Sequence, residues 1–280
     1  MDKNQQTLNL KSVQSWLTPR PHDANKGQFG RVLVIGGDHG MPGAVRLAAE
    51  AALRVGAGLV MVATQPEHVS SVVGTRPELL CYGLELPPVK LDALIATATV
   101  IILGPGLGHS DWSKELFYRG LQTSVHLIID ADGLNWLARN TRHSPHQHWI
   151  LTPHPGEAAR LLDITVEQVQ MDRVHAVQLL QQRYGGVIVL KGAGTLLATA
   201  NQPIQQCIGG NPGMASAGMG DLLSGMIAGF VAQGLDLWQA AQAGVMFHAE
   251  AGDRVAHKLG QRGLLASDLL DELPQLINPK

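Results

Sequence analysis

Cysteine, charge and aromatic side chains are all scarce in this chain. Two cysteines, Cys81 and Cys207, stand in 280 residues. That number excludes a disulfide framework or a cysteine metal cage and suits a reducing compartment. Charged residues make up 16%, the formal net charge is −2, and no block of Lys or Arg occurs. The electrostatic footprint of a nucleic-acid binder is therefore missing. No apolar run approaches the length of a bilayer span, and the longest lies within the helix expected after Asp221. The opening MDKNQQTLNLKSVQSW has no apolar signal-peptide core. The expectation is a soluble cytoplasmic protein engaging neither nucleic acid nor membrane. Hydrophobic residues, at 45%, are enough for a large core.

Two nucleotide motifs are also missing. No Gly-Lys-Ser/Thr occurs, so there is no P-loop. GPGLG has the wrong spacing for a dinucleotide fingerprint, and no acid follows the first strand at the required distance. Hydride transfer on a Rossmann fold is disfavoured.

What is present is an alternation of strand-like and helix-like segments. RVLVIGG (31–37), GLVMVAT (58–64), TVIILG (99–104), HLIIDA (126–131) and HWILTPHPGE (148–157) read as buried parallel strands, each ending in a Gly, Asp or Pro turn. AVRLAAEAALRVG (44–56) reads as a helix with Arg46, Glu50 and Arg54 along one face. GGVIVLKGAGTLLAT (185–199) reads as strand, glycine turn and strand, and the last third as helix from Asp221 to about Leu259. LNLKSVQSWL near the start suggests a short docking helix. No linker stronger than RHSPHQH (142–148) divides the chain, so residues 1–280 are expected to form one domain with helices on both faces of a largely parallel sheet.

In such folds ligands bind beyond the carboxyl ends of the strands. Gly36–Gly43, Gly104–Gly108, Asp130–Asp132, Thr152–Glu157 and Lys191–Thr195 all follow strands. One crevice is expected, rimmed by glycine loops, Asp130, His154, Lys191 and Asp221. The stretch NPGMASAGMGDLLSGMIAGFVAQG (211–234) sets a single carboxylate, Asp221, where a glycine turn becomes an apolar helix. Free N–H groups and the helix dipole favour an anion there.

Read alone, these residues also have plain roles. Asp221 fits an ordinary N-terminal helix charge, Lys191 a solvated strand end and His154 a loop histidine. Ala44 and the Gly104–Gly108 loop suit tight packing. Asp132 is expected to cap a helix over 133–139, in preference to holding Mg²⁺ through water together with Asp130. His143, His146 and His148 look like a polar loop, His248 and Glu250 a poor metal pair, and Met214, Met219 and Met226 packing residues.

The same stretch resembles the signature of the ADP-dependent NAD(P)H-hydrate dehydratases, a branch of the ribokinase-like fold. So do KGQFGRVLVIGGDHGMPGAVRLAAEAALRVGAGLVMVAT (26–64), ILGPGLG (102–108), IIDADGLNWL (128–137), LTPHPGEAARLL (151–162) and VLKGAGTLLA (189–198), in the family's order. The resemblance implies a three-layer α/β/α fold and an enzyme restoring hydrated NADH or NADPH with ADP, or in relatives ATP, and Mg²⁺. It implies that Asp221 is the general base and that Ala44, Gly106, Gly108, His154 and Asp221 line the hydrate site. Lys191, Gly192, Ala193, Gly194, Thr195 and Gly220 would contact the nucleotide, and Ala217, Gly218, Met219 and Gly220 would form the anion hole. A homotetramer is implied as well. Residues 1–25 precede the first motif, too few for the family's epimerase domain, so the epimerase is expected on a separate polypeptide. The rival readings are a hydroxyethylthiazole- or pyridoxine-type kinase of the same fold, and a non-catalytic nucleotide sensor.

Overall fold

The computed structural model describes residues 5–139 and 145–278; His143 and much of the RHSPHQH segment lie outside them. The strands are β1 (Gln5–Thr7), β2 (Arg31–Ile35), β3 (Leu59–Thr64), β4 (Leu80–Gly83), β5 (Val100–Leu103), β6 (His126–Ile129), β7 (Trp149–Leu151), β8 (Val187–Leu190), β9 (Thr195–Ala198) and β10 (Ile204–Cys207). The helices are α1 (Leu10–Gln14), α2 (Pro42–Arg54), α3 (Val69–Val73), α4 (Leu91–Thr97), α5 (Asp111–Leu121), α6 (Asp132–Arg139), α7 (Pro155–Leu162), α8 (Val166–Met171), α9 (Arg173–Tyr184), α10 (Met219–Ala232), α11 (Leu237–Leu259) and α12 (Ala266–Ile277).

The strands form one sheet in the order β1-β10-β9-β8-β7-β6-β5-β2-β3-β4. All neighbours pair in parallel except β9, which runs antiparallel to both β8 and β10. Successive residues of a strand face opposite sides, and each side has its own core. Val32, Val34, Val60 and Val62 join α2, α10, α11 and α12 on one face. Leu33, Ile35, Met61 and Ala63 join α4, α5, α6, α7 and α9 on the other. This double burial explains why the inner strands read as continuous apolar runs, and gives the expected three-layer α/β/α architecture.

The alanines of α2 and the glycines of α10 have one cause. A Cβ on Gly225 would stand 2.1 Å from the Ala48 carbonyl oxygen, and one on Gly229 would stand 2.2 Å from Val55 Cγ2. The two helices pack backbone to backbone, which only small residues permit. Glu50, also on α2, is buried and held by Arg46 Nε at 2.8 Å, whereas Arg54 turns instead to Asp271 at 3.5 Å. The C-terminal third is helical as expected, but broken at 233–236, where Asp236 caps α11 by accepting the Gln239 N–H. α1 is capped by Asn9, buries Val13 and reaches α12 through Gln14 Nε2 on the Leu276 carbonyl at 3.3 Å.

Candidate active site

The parallel strands β2 to β8 end on one edge, and the loops that follow them meet the start of α10. After β6 comes Asp130, 1% exposed. The Lys191 ammonium, following β8, lies 2.7 Å from Asp130 Oδ1, and the Ser224 hydroxyl donates to Asp130 Oδ2 at 2.7 Å. Burial pushes the Asp130 carboxyl up. The Lys191 charge, with hydrogen bonds from Lys191, Ser224 and Thr152, outweighs it, and the net direction is down. Lys191 behaves reciprocally: burial lowers it, but Asp130 and Glu157 hold the ammonium protonated above its ordinary value.

Glu157, which sequence reading noticed only inside PHPGE, proves to be part of this cluster. Its Oε2 is 3.8 Å from Lys191 Nζ, and burial pushes its carboxyl up to about 7. It closes a capping box with His154. His154 Nδ1 accepts the Gly156 N–H at 3.0 Å, and Glu157 Oε2 accepts the His154 N–H at 2.7 Å. Burial, then the Lys191 and Arg160 charges, hold the His154 ring below its ordinary value. The imidazole is therefore neutral, with Nδ1 committed to the cap and its proton on Nε2, 3.3 Å from Glu157 Oε1.

Gly218 is the N-cap of α10, at φ 87°, with no side-chain cap. The first residue to close onto the helix is Leu222, whose N–H reaches the Gly218 carbonyl at 2.9 Å. Among the described residues the N–H groups of Ala217 to Asp221 have no partner. The two glycines make room for neighbouring side chains. A Cβ at Gly218 would meet Leu47 Cδ1 at 2.4 Å, and one at Gly220 would stand 3.1 Å from Lys191 Nζ. Gly220 thus lets the ammonium lie against the helix start. Asp221, one residue on, is surrounded by charge rather than isolated. Burial, then the Asp130 charge, push its carboxyl up to about 7, against the pull of Lys191. No hydrogen bond reaches this carboxylate among the described residues, so its lone pairs are free. Such a carboxyl gains and loses its proton near neutrality.

Two surroundings flank Asp221. On one side is a cavity of about 520 Å³ lined by Lys191 to Thr195, Met219 and Gly220, with Cys207 to Pro212, Met214 and residues of α10 and α11. It gathers the whole expected nucleotide set and half of the expected anion hole; Ala217 and Gly218 do not line it. On the other side Gly106 (φ 55°) packs against α2, where its Cβ would meet Met41 Cβ at 2.9 Å and Ala44 Cβ at 3.1 Å. Gly108 gives its N–H to Asp132 Oδ2 at 2.9 Å and its carbonyl to Trp136 Nε1, also at 2.9 Å. Asp132 is therefore no N-cap. It is the first residue of α6, and its carboxylate ties down the Gly108 loop and takes Asn135 Nδ2 at 3.1 Å.

Asp38, unmarked in sequence, holds the same loop. Its carboxylate accepts from Ser110 (2.7 Å), Ser113 (3.0 Å), Gln65 (2.8 Å) and the His39 N–H (2.9 Å). These bonds outweigh its burial and hold it below the usual carboxylate range. Among the described residues no three His, Cys, Asp or Glu side chains converge to hold a metal. The oxygens of Asp130 and Asp132 are engaged, which removes the water-mediated Mg²⁺ pair. An ion carried on phosphates needs only one or two protein oxygens, and Glu157, 3.8 Å from Lys191 Nζ, is placed to give one.

Comparisons with known proteins identify the family. The sequence pattern of the NAD(P)H-hydrate dehydratase family matches residues 32–275. The chain is 55% identical over 272 residues to the bifunctional NAD(P)H-hydrate repair enzyme Nnr of Coxiella burnetii, covering 97% of itself and 55% of that relative. It spans about half the length of the bifunctional relatives it matches. It is 37% identical to the ADP-dependent (S)-NAD(P)H-hydrate dehydratase of Neisseria meningitidis, with 89% and 86% of the two chains covered. A ribokinase-like superfamily protein from Enterococcus faecalis superimposes with TM-score 0.91 at 31% identity, covering 99% and 96%. The Bacillus subtilis ADP/ATP-dependent NAD(P)H-hydrate dehydratase, co-crystallised with ATP/Mg²⁺, gives 0.84 at 28%, covering 96% of each chain. The match over residues 32–275 shows that the chain belongs to the NAD(P)H-hydrate dehydratase family.

Proposed function

We propose that this chain dehydrates the S-form of hydrated NADH or NADPH at the expense of ADP, releasing AMP and phosphate, with ATP as an alternative donor. One observation carries the reading: five successive N–H groups without a partner among the described residues, Ala217 to Asp221, adjoin a carboxylate that accepts no hydrogen bond among them and is poised near pH 7. The 520 Å³ cavity on the Lys191 side takes the nucleotide, with its phosphates at the start of α10. The hydrate lies across Asp221, against Ala44, Gly106, Gly108 and His154.

Asp221 takes the proton of the hydrate's C6 hydroxyl as that oxygen attacks the terminal phosphoryl group. The N–H groups of Ala217 to Gly220 and the Lys191 ammonium stabilise charge on the transferring phosphoryl. AMP departs as the new P–O bond forms. Phosphate then leaves C6, driven by the ring nitrogen's electron pair, and loss of a C5 proton from the resulting iminium to the departing phosphate restores the reduced nicotinamide. Mg²⁺ would supply further charge neutralisation at the phosphates, and Glu157 would offer it a carboxylate oxygen. His154, neutral and anchored as a cap, offers an Nε2–H to the hydrate. The same reading implies a cytoplasmic homotetramer acting beside an NAD(P)H-hydrate epimerase.

The test mixes the protein with (S)-NADH hydrate, ADP and Mg²⁺ and follows the absorbance of reduced nicotinamide, with Asp221→Asn in parallel. Recovery with one AMP per NADH is expected, and a loss of about 10²- to 10⁴-fold in the variant with ADP binding intact. A stable phosphorylated alcohol would instead mark a kinase, and binding without turnover a sensor.

A further inference from the structure

One wall of the cavity, residues 208–214, belongs to no strand and carries only a three-residue turn, 212–214. Ile208 on it is 72% exposed, so hydrophobic burial does not hold it. What holds it is α11. Asp253 accepts the Gly210 N–H on Oδ2 at 2.9 Å and Asn211 Nδ2 on Oδ1 at 2.9 Å. Asn211 Oδ1 in turn accepts the Gly213 N–H at 3.0 Å, which starts the turn. Met214 then seats in a notch: a Cβ on Gly252 would stand 2.3 Å from its Sδ. The same helix sends Val245, His248 and Ala249 into the cavity.

We propose that Asp253 is a positioning residue for the adenine nucleotide, clamping the 208–214 wall onto α11 without touching the ligand itself. The proposal rests on the reading of the cavity as the nucleotide site. Both carboxylate oxygens are spent on the wall, so Asp253 acts through Gly210 and Asn211. Its effect therefore falls on nucleotide affinity and leaves the Asp221 chemistry alone.

The hydrogen-bond pattern allows a reciprocal test. In Asp253→Asn the new amide faces one of two donors, and in Asn211→Asp two carboxylates face each other. In the double exchange every bond is restored with its direction reversed only between 211 and 253: the residue at 253 donates to 211, still accepts from Gly210, and 211 still accepts from Gly213. Calorimetric titration with ADP and Mg²⁺ should show each single variant binding about tenfold more weakly, the loss of one charge-assisted bond. The double variant should recover to within about threefold of wild type. In the turnover assay the KM for ADP should rise while the KM for hydrate and kcat stay put.

Single variants that bind ADP like wild type would overturn the proposal, as would a double variant as weak as the two losses combined. Equal damage to hydrate KM and kcat would also overturn it, leaving Asp253 a general stability residue. Should a single variant not fold, Met214→Ala, which empties the notch, is expected to weaken ADP selectively in the same way. A wild-type protein that bound no adenine nucleotide would instead overturn the functional reading, and the clamp with it.

Discussion

The two sides of the α10 start are built on opposite plans. On the Gly106 side the loop is fixed by ionised and hydrogen-bonded side chains: Asp38 takes four donors, and Asp132 and Trp136 take Gly108 from above and below. On the Lys191 side the cavity has largely apolar walls and glycine backbone, and its outer segment is held by Asp253 and one half-buried methionine. The difference teaches where rigidity has been placed. On the proposed reading, the ring that reacts is held at a fixed distance from Asp221, while the nucleotide sits against lightly held wall segments that open at lower cost. Asp221 stands between, with no hydrogen bond from the described residues to fix its carboxylate in either direction.

The contrast can be broken at its joint. Lys191→Met removes the cation shared by Asp130, Glu157 and Asp221 and strands a fully buried carboxylate. The expected cost is about 3–5 kcal/mol of stability in urea unfolding. Its sign with pH follows from Asp130. The pair holds that carboxyl below its ordinary value, so its stabilisation is present above the unfolded pKa and lost as pH falls through the folded one. Stability of the wild type should therefore fall more steeply on acidification than that of the variant.

A smaller change sharpens the comparison. Asp38→Asn keeps the shape but turns an acceptor of four donors into one that faces some of them with an amide. A loss of about 2 kcal/mol is expected, with the KM for hydrate raised and calorimetric ADP affinity unchanged. Equal effects on both ligands would mean that the two sides are one mechanical unit.

The sequence made the centre of the sheet legible because strands buried on both faces are unbroken apolar runs; RVLVI and VIIL need no partner to be recognised. It did not show the edges. QQT of β1, LCYG of β4 and IQQC of β10 are only three or four residues long, two of them rich in glutamine, and only pairing makes them strands. At the site, motif order singled out Lys191, His154, Gly106 and Asp221, and the structure gathers them around α10. Glu157 did carry a local signal, lying three residues after the cap at His154 before an apolar run. Asp38, Ser224 and Asp253 carried none. Their importance comes from partners 72, 94 and 43 residues away, which no local spacing reveals.

The central claim is that a buried, unbonded carboxyl at Asp221 acts as the base with its proton equilibrium moved up to about 7. It is tested most directly by kcat/KM for the hydrate between pH 5 and 9 at saturating ADP, in wild type and in Glu157→Gln. The carboxyl must lose its proton to act. The account predicts a plateau above about pH 7, a fall of about tenfold per unit below it, and the same limb in the variant. A rate flat down to pH 5, or a limb that disappears with Glu157, would contradict it.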